Sequence, residues 1–380
     1  MKKTIFLIFI LIVSLFTLTG CNYKRGIDEY YFIISLGLDK SENNLLKINV
    51  QISSTSSEGS SKSSNSTQAS SYQIYSVEAN TIDEGITILN NYLNKKINLS
   101  HCSTLIISEE LAKEGINTYI STLSNNSELR HSCEVIISST SSYDVMNKVS
   151  NSGEVFSARL YDYLTTSTKY TGFTVQSSFG KFFQALDNDY YEPTAIYTQV
   201  SDDTIQANGI AIFKNHYMID HLNVSNSIAH LIVKDELNSC TITTENPFDA
   251  GEYLDLEVSL YKNTDIDIEM INGSPLISIT AYPEGTIRSS GSHFNYINNE
   301  NIKMVENTVN NYFENLLKEY LYSISKKYNS DIVGFEGLYR AKFLTKEEFN
   351  KFHWDEVFQD SFFDVKINTK INSSNLFNKE

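Results

Sequence analysis

Apolar and polar residues alternate in several segments of the first half of the chain, and this pattern predicts β-strands. The predicted strands of this half cover residues 27–39, 46–52, 103–107 and 133–138. Thr81-Ile-Asp-Glu84 is a capping-box sequence, and apolar residues follow it at helical spacing. Another helix is predicted over about residues 109–123, with more helical sequence between 143 and 183. This β-α-β-α-β order indicates one α+β or α/β unit.

The second half of the chain begins after residues 184–204, which are polar, contain Pro193 and are predicted to be an irregular domain boundary. Consecutive strands follow. One hairpin is predicted over 205–222, and Asn272-Gly273 is the strongest short hairpin signal in the chain.

The last third is predicted to be mainly helical. Apolar residues at helical spacing predict a helix over about 303–328. Thr345-Lys-Glu-Glu348, a second capping box, is predicted to open a helix through Trp354 to about residue 359, before a strand over 363–367. Together the patterns predict an α+β, multidomain protein with mixed β-sheets, flanking helices and long C-terminal amphipathic helices.

The first residues have the features of a secretory signal. Lys2 and Lys3 precede an apolar run over 5–16, and Leu18-Thr-Gly-Cys21 resembles a bacterial lipobox. In that resemblance a diacylglyceryl group is attached to the sulfur of Cys21, which becomes the first mature residue. An ordinary cleaved signal is the alternative, and the run is short for a membrane span.

Three parts of the chain are therefore predicted: a lipoprotein signal peptide over 1–20, an N-terminal α+β region over 21–198, and a C-terminal α+β region over 205–373 that could contain two subdomains. Residues 53–71 include 11 serines among 19 residues and almost no apolar side chains. Burial could not offset the entropy of ordering such a segment, so a mobile loop is expected.

The charge balance limits the partners. Lys and Arg number 30 against 46 Asp and Glu, a net charge of −16, which argues against nucleic acid and against purely electrostatic docking on anionic lipid. Cys102, Cys133 and Cys240 cannot all pair with one another, so free or buried thiols are predicted. His101 and His131 lie beside two of them, but ordinary packing is favoured over a zinc site.

The sequence contains no local catalytic motif, so no enzyme activity, catalytic residue, metal or cofactor is predicted, and ligand-binding residues are unknown. Asp265, Asp267 and Glu269 share one strand face, which indicates a solvated sheet face more than a calcium site. Trp354, the single tryptophan, is interpreted as a core anchor.

Several segments in order along the chain resemble the Ger(x)C family, the lipoprotein C subunits of nutrient germinant receptors in endospore-forming bacteria. The segments that carry the resemblance are Cys21, Ile27-Asp-Glu-Tyr, Ile33-Ile-Ser-Leu-Gly-Leu-Asp-Lys40, Tyr75 to Glu84, Leu99-Ser-His-Cys to Glu-Gly115, Asn208-Gly-Ile-Ala-Ile-Phe-Lys214, Asp331-Ile-Val-Gly-Phe335, Trp354 and Phe363 to Ile371.

The resemblance implies a non-enzymatic subunit that is lipid-anchored through Cys21 on the outer face of the spore inner membrane. It also implies multi-span A and B subunits as partners in triggering germination, and a fold of several α+β domains. The alternative is a solute-binding lipoprotein of an importer, although consecutive strands over 205–282 do not fit its two α/β lobes. An envelope hydrolase with a dispersed site is a further alternative.

Overall fold

A computed structural model describes residues 3–5, 26–53, 72–150, 156–188, 190–200, 204–290 and 298–372. Over these ranges the chain forms two mixed β-sheets with flanking helices, which confirms the predicted α+β class. The strands of the first sheet are β1 (Tyr30–Lys40), β2 (Leu46–Ser53), β3 (Tyr72–Ala79), β4 (Lys96–Asn98), β5 (Thr104–Ser108), β6 (Glu134–Ser138), β7 (Thr194–Val200), β8 (Ile205–Lys214) and β9 (Tyr217–Leu222).

The first sheet has a parallel centre and antiparallel wings. Its order is β3-β2-β1-β5-β6-β7-β8-β9, with β4 beside the start of β1. Strands β1, β5, β6 and β7 run parallel, and such strands need crossover connections. The helices of this half are α1 (Ile82–Tyr92), α2 (Glu109–Glu114), α3 (Asn117–Ser124), α4 (Ser142–Ser150), α5 (Phe156–Thr171) and α6 (Phe179–Leu186).

Both faces of the central strands are buried, which explains their nearly continuous apolar sequences. Ile107 and Ile137 lie in a core with residues of α1, α2, α3 and α6. The alternate residues Ile106 and Ile136 lie in a smaller core with α4 and α5. Because successive side chains of a strand point to opposite faces, alternate residues of β5 and β6 pack in different cores.

The predicted helix over 109–123 is wrong in one respect, because two helices occupy that range. Gly115 has φ +110°, a left-handed conformation that ends α2, and the N–H of Ile116 donates to the carbonyl of His216. The predicted capping box at Thr81 is confirmed, since its hydroxyl accepts from the N–H of Glu84 at 3.1 Å.

The expectation of irregular structure throughout 184–204 is wrong, because residues 194–200 form β7 and pair with β8 in a hairpin. Strand β8 joins the two halves: Ala211 and Phe213 lie in the first core, whereas Ile210 and Ile212 lie in the C-terminal core. The domain limits 21–198 and 205–373 stay a prediction, and the loop 53–71 lies outside the described residues except for Ser53.

In the described C-terminal part a second, five-stranded sheet has the order β10-β11-β12-β13, with β14 beside β12. Its strands are β10 (Cys240–Glu245), β11 (Tyr253–Ile271), β12 (Ser274–Ser290), β13 (Phe362–Ile367) and β14 (Lys370–Asn372). The predicted hairpin is confirmed, since Asn272 (φ +52°) and Gly273 (φ +87°) form its two-residue turn. Buried residues of α7 (Val224–Val233) and α8 (Asn299–Tyr322) complete the core.

The long helix α8 confirms the predicted amphipathic pattern, and a π-helical turn, Ser323–Lys327, extends it. The short helices that follow are α9 (Phe335–Arg340), α10 (Lys346–Asn350) and α11 (Trp354–Val357). Thr345 caps α10 as predicted. The continuous helix predicted through residue 359 is wrong, because His353 has φ +45° and breaks it.

Candidate functional site

The end of β1 is fastened to α4 through a buried carboxylate. Asp39 accepts hydrogen bonds from the backbone N–H of Ser142 (2.7 Å), from the Ser142 hydroxyl (2.8 Å) and from Nδ2 of Asn49 (2.8 Å). Burial is the largest effect on this carboxyl and raises the pKa of Asp39 despite these bonds. Asp39 therefore caps the first turn of α4 from a distant strand.

Two other residues of the same sequence block make close contacts. A Cβ on Gly37 would lie 2.2 Å from Oγ of Ser142, so the strand and α4 can approach only because this residue is glycine. Lys40 Nζ lies 2.5 Å from Oε1 of Glu114 and 3.5 Å from Oε1 of Glu110. The blocks 33–40 and 99–115, far apart in sequence, thus form one structural unit.

A polar crevice lies where the C-terminal region meets β8 and β9. Lys214, the last residue of β8, has Nζ 2.8 Å from Oδ1 of Asp355 and 3.3 Å from Oε1 of Glu192. The backbone N–H of Asn215 donates to Oε2 of Glu192 at 2.6 Å. Ser330 donates from its hydroxyl to the carbonyl of Phe213 at 2.5 Å. These contacts fix the turn after β8 against the C-terminal region.

Burial and neighbouring charges have opposite effects on the pKa values of Lys214 and Glu192. Burial is the largest effect on Lys214 and favours the neutral amine, but the carboxylates of Asp355 and Glu192 outweigh it and raise the pKa of Lys214. Burial is also the largest effect on Glu192, and it raises the pKa of Glu192 because one ammonium group does not compensate for it. Lys214 is thus a charged group held between two acids.

Asp331 is the buried polar centre of this region. Its carboxylate accepts hydrogen bonds from the backbone N–H groups of Gly334 (2.8 Å), Phe335 (3.0 Å) and Glu336 (2.7 Å), and from Nε1 of Trp354 (3.2 Å). Burial, the largest effect, raises the pKa of Asp331 to about 6. The predicted role of Trp354 as a core anchor is confirmed, because its side chain is buried in the C-terminal core.

The crevice has a volume of about 520 Å³, in the range of small-molecule sites. Its lining is dominated by polar side chains, including Asn117, Tyr190, Glu192, His216, Asp331 and Asp355. Its central acids already accept hydrogen bonds from the protein. Among the described residues, no group of three or more His, Cys, Asp or Glu side chains could hold a metal ion.

Comparisons with known proteins decide the family. Residues 23–200 match the profile described as "Spore germination protein N-terminal domain", and residues 208–375 match the one described as "Spore germination B3/ GerAC like, C-terminal". The chain belongs to the Ger(x)C family. Two profiles in this order account for most of the sequence.

Individual relatives agree with the Ger(x)C assignment. The chain is 23% identical over 407 residues to "Spore germination protein KC" of Bacillus subtilis (strain 168), covering 100% of this chain and 98% of the relative. It is 21% identical over 367 residues to "Spore germination protein GerQC" of Bacillus cereus, covering 97% and 98%. The solved structure "Crystal Structure of the GerBC protein" matches with a TM-score of 0.59 and 18% identity, covering 88% of this chain and 96% of that chain, which supports the fold.

The three cysteines of this Ger(x)C protein that lie in its described part are buried, as predicted. Sγ of Cys102 lies 3.9 Å from Sγ of Cys133. The hydrogen bond between the Cys133 and Cys102 sulfurs, followed by burial, raises the pKa of Cys133 well above its usual value. Burial raises the pKa of Cys240 to about 12. Cys133 and Cys240 are therefore poor nucleophiles in this fold. Cys21 lies outside the described residues.

The histidines next to these cysteines do not complete a zinc site. His101 lies in the turn before β5, and His131 lies in the turn before β6. His101 is exposed and stacks on Phe32, with ring centroids 4.4 Å apart. His131 is also exposed, and its ring lies at the edge of Phe179 at 6.4 Å. Their surroundings are those of ordinary packing.

The three acids on β11 lie on an exposed sheet face, which agrees with the predicted solvated face. Asp265 lies 2.8 Å from Nζ of Lys262 and accepts from the hydroxyl of Tyr282 at 2.6 Å. Asp267 lies 2.6 Å from Nζ of Lys342. Lysines thus balance two of the three charges that a calcium site would need.

Sequence reasoning missed the polar groups at the centre of the crevice. Lys214 and Asp331 were noted only as parts of two family-like segments, and Glu192 was not singled out. A signal existed for Lys214, because a lysine that ends a largely apolar strand needs a partner for its charge. Nothing local marks Glu192 as that partner.

Proposed function

We propose that the chain is a non-enzymatic, lipid-anchored C subunit of a spore nutrient germinant receptor. It acts with multi-span A and B subunits to trigger germination, and it lies on the outer face of the spore inner membrane. The observation that carries the proposal is the pair of Ger(x)C profiles covering residues 23–200 and 208–375 in order. Relatives named as spore germination proteins support the same process.

The proposed anchor is a diacylglyceryl group on the sulfur of Cys21. Leu18-Thr-Gly-Cys21 supplies the lipobox-like sequence after an apolar run. Within the described residues, no helix has the length and apolar character needed to cross a bilayer. Two acyl chains hold a protein on a bilayer where a single chain binds marginally, so a diacyl anchor would suffice.

The contacts in the crevice support a role in binding and assembly rather than catalysis. Asp331 is engaged by three backbone N–H groups and an indole. Lys214 is held by two carboxylates. A general acid, base or nucleophile must be available to a substrate, whereas these groups are occupied by the fold.

The alternative, a solute-binding lipoprotein of an importer, draws support from the crevice volume of about 520 Å³. Its polar lining would suit a small polar solute. Such a protein would work with a permease and an ATPase instead of the two multi-span germination subunits.

The test is a detergent pull-down of tagged full-length protein from isolated spore membranes, comparing wild type with Cys21→Ala. We expect wild type to recover two multi-span germination subunits and Cys21→Ala to recover few or none. Cys102→Ala makes the same chemical change at a buried thiol away from the signal, and it should behave as wild type. Recovery of an importer permease with its ATPase, or of no partner at all, would refute the receptor proposal.

A further inference from the structure

Two buried cysteines meet at the start of neighbouring parallel strands. Cys102 lies in the turn before β5, and Cys133 directly precedes β6. The N–H of Glu134 donates to the carbonyl of Ser103 at 2.9 Å, so a hydrogen bond joins the backbones beside the two cysteines. Both side chains lie in the first core, where 2% of Cys102 and 1% of Cys133 are exposed. The fold thus makes neighbours of two sulfurs that are 31 positions apart in sequence.

The two sulfur atoms are close enough to form a bond after a small movement. Sγ of Cys102 lies 3.9 Å from Sγ of Cys133, and both residues are thiols in this structure. A disulfide bond is about 2.05 Å long, so the two sulfurs have to approach each other by about 2 Å. Rotations of the two side chains about their Cα–Cβ bonds can supply displacements of this size. The contact is therefore compatible with a bridge between the starts of β5 and β6.

The third cysteine of the described part is an internal comparison. Cys240 is the first residue of β10 and lies in the C-terminal core, whereas Cys102 and Cys133 lie in the first core. Among the described cysteines, only Cys102 and Cys133 have sulfurs in contact. Since Cys21 is proposed to carry lipid, the three remaining cysteines divide into one close pair and one single thiol.

The compartment of the protein bears on the oxidation state of this pair. The lipobox-like segment Leu18-Thr-Gly-Cys21 predicts export, and disulfide bonds persist in oxidising environments outside the cytoplasm. A chain that leaves the cytoplasm unfolded presents both thiols to an oxidant before the core closes over them. After folding, burial of the two sulfurs keeps reductants away from the bond.

We propose that Cys102 and Cys133 form a disulfide bond in the exported protein and that Cys240 stays a thiol. The inference rests on the proposed export of the chain. The oxidant is the disulfide of an exported thiol–disulfide oxidoreductase. One cysteine thiolate attacks this disulfide to form a mixed disulfide, and the second thiolate then displaces the sulfur of the oxidoreductase. The oxidoreductase takes up the two electrons and two protons that the cysteines lose, and it becomes a dithiol.

The bond closes a loop over residues 102–133, which contains β5, α2 and α3. Closing a loop lowers the conformational entropy of the unfolded chain, so the bond stabilises the folded state. The loop includes Ile116, whose N–H donates to the carbonyl of His216 in the β8–β9 turn. Because the bond lies inside the first core, it acts on stability and leaves the outer surface of the protein unchanged.

The test maps the cysteines of full-length protein from isolated spore membranes. Spores are broken in acid to stop thiol exchange, and free thiols are then blocked with N-ethylmaleimide in urea without reductant. After reduction, the newly released thiols are labelled with iodoacetamide. Trypsin places the three cysteines in separate peptides, 97–113, 131–148 and 235–262, so mass spectrometry measures each cysteine independently.

We expect Cys240 to carry N-ethylmaleimide, and Cys102 and Cys133 to carry iodoacetamide, in nearly all of the protein. Without reduction, peptides 97–113 and 131–148 should appear as one cross-linked species that is two hydrogen atoms lighter than their sum. Cys102→Ser should leave Cys133 labelled with N-ethylmaleimide, and the control Cys240→Ser should retain the cross-linked species. N-ethylmaleimide on most of Cys102 and Cys133 in wild type would overturn the proposal.

A refolding measurement separates two causes of such a failure. The same protein is reduced in urea and refolded in detergent with reduced and oxidised glutathione, and a sample kept in urea is the control. Refolding should raise the ratio of bonded to free Cys102 and Cys133 at least about tenfold over the urea sample. A bond that forms on refolding but is absent from spores would place the error in the proposed location of the chain. A bond absent from both would mean that the fold does not pair the sulfurs, and would leave the proposed receptor function untouched.

Discussion

Glu134, at the start of β6, gives a sharp prediction about stability and pH. Its side chain is buried, with 1% of the residue exposed, and Oε2 accepts one hydrogen bond from the N–H of Ser177 at 3.0 Å. Burial, the largest effect, raises the pKa of Glu134 from 4.5 to about 7, although the Ser177 bond and the charge of Lys181 lower it. Between pH 4.5 and about 7, the Glu134 carboxyl therefore keeps its proton in the folded protein and loses it in the unfolded chain.

The sign of the pH dependence follows from this difference. Between pH 4.5 and 7 the folded state binds more protons at Glu134 than the unfolded state, so the free energy of unfolding falls as the pH rises. A rise of the pKa from 4.5 to about 7 corresponds to about 3 kcal/mol lost above pH 7. Glu134→Gln keeps an acceptor for Ser177 and removes the charge, so it should recover about 2–3 kcal/mol at pH 8.

The assay is urea unfolding followed by far-UV circular dichroism at pH 4.5 and pH 8. Glu134→Gln should match wild type at pH 4.5 and exceed it at pH 8. Glu78→Gln changes an exposed carboxyl on β3 and should leave the difference between the two pH values as in wild type. If Glu134→Gln lowers stability at pH 8, or shifts it equally at both pH values, the ionised carboxylate is stabilised in the fold and the reasoning is wrong.

Two further predictions concern the buried carboxylate of Asp331 and the close approach at Gly37. Asp331→Ala leaves the first N–H groups of α9 and the indole of Trp354 without their acceptor. The free energy of unfolding in urea should fall by about 3 kcal/mol, and the emission of Trp354 should shift to the red. An unchanged urea midpoint would contradict this role of Asp331. Gly37→Ala would place a Cβ within 2.2 Å of Ser142 Oγ, and in thermal unfolding it should lower the stability by about 1–3 kcal/mol. Gly337→Ala is the control, because its Cβ would lie 3.6 Å from the nearest atom, and it should be neutral or stabilising in the same thermal assay. Equal effects of the two glycine substitutions would rule out a steric role for Gly37.

Local sequence features predicted local structure well. The Thr81 and Thr345 capping boxes and the Asn272-Gly273 turn form as expected, because each depends on contacts within four residues. The helix predicted over 109–123 failed because φ at Gly115 is set by packing against the β8–β9 turn, a contact with residues about a hundred positions away.

The crevice could not be foreseen in the same way. Lys214 meets Glu192, 22 positions earlier, and Asp355, 141 positions later, and no periodicity connects the three. Asp331 and Trp354 were both visible in the sequence, but the hydrogen bond between them depends on α9, α10 and α11 folding back together. The boundary region likewise read as irregular, because Thr194–Val200 becomes a strand only beside β6 and β8.

The sequence by itself determined the α+β class, the order of most strands and helices, the lipobox-like Cys21 and the Ger(x)C resemblance, because these depend on residue patterns within short windows or on their order along the chain. Only the tertiary structure decided that one face of β8 packs in the first core and the other in the C-terminal core. It also decided that the charge of Lys214 is paired with the distant acids Glu192 and Asp355. The physical reason is that burial and pairing of charges are properties of residues brought together in space. Sequence separation carries no information about which acid a half-buried lysine will meet.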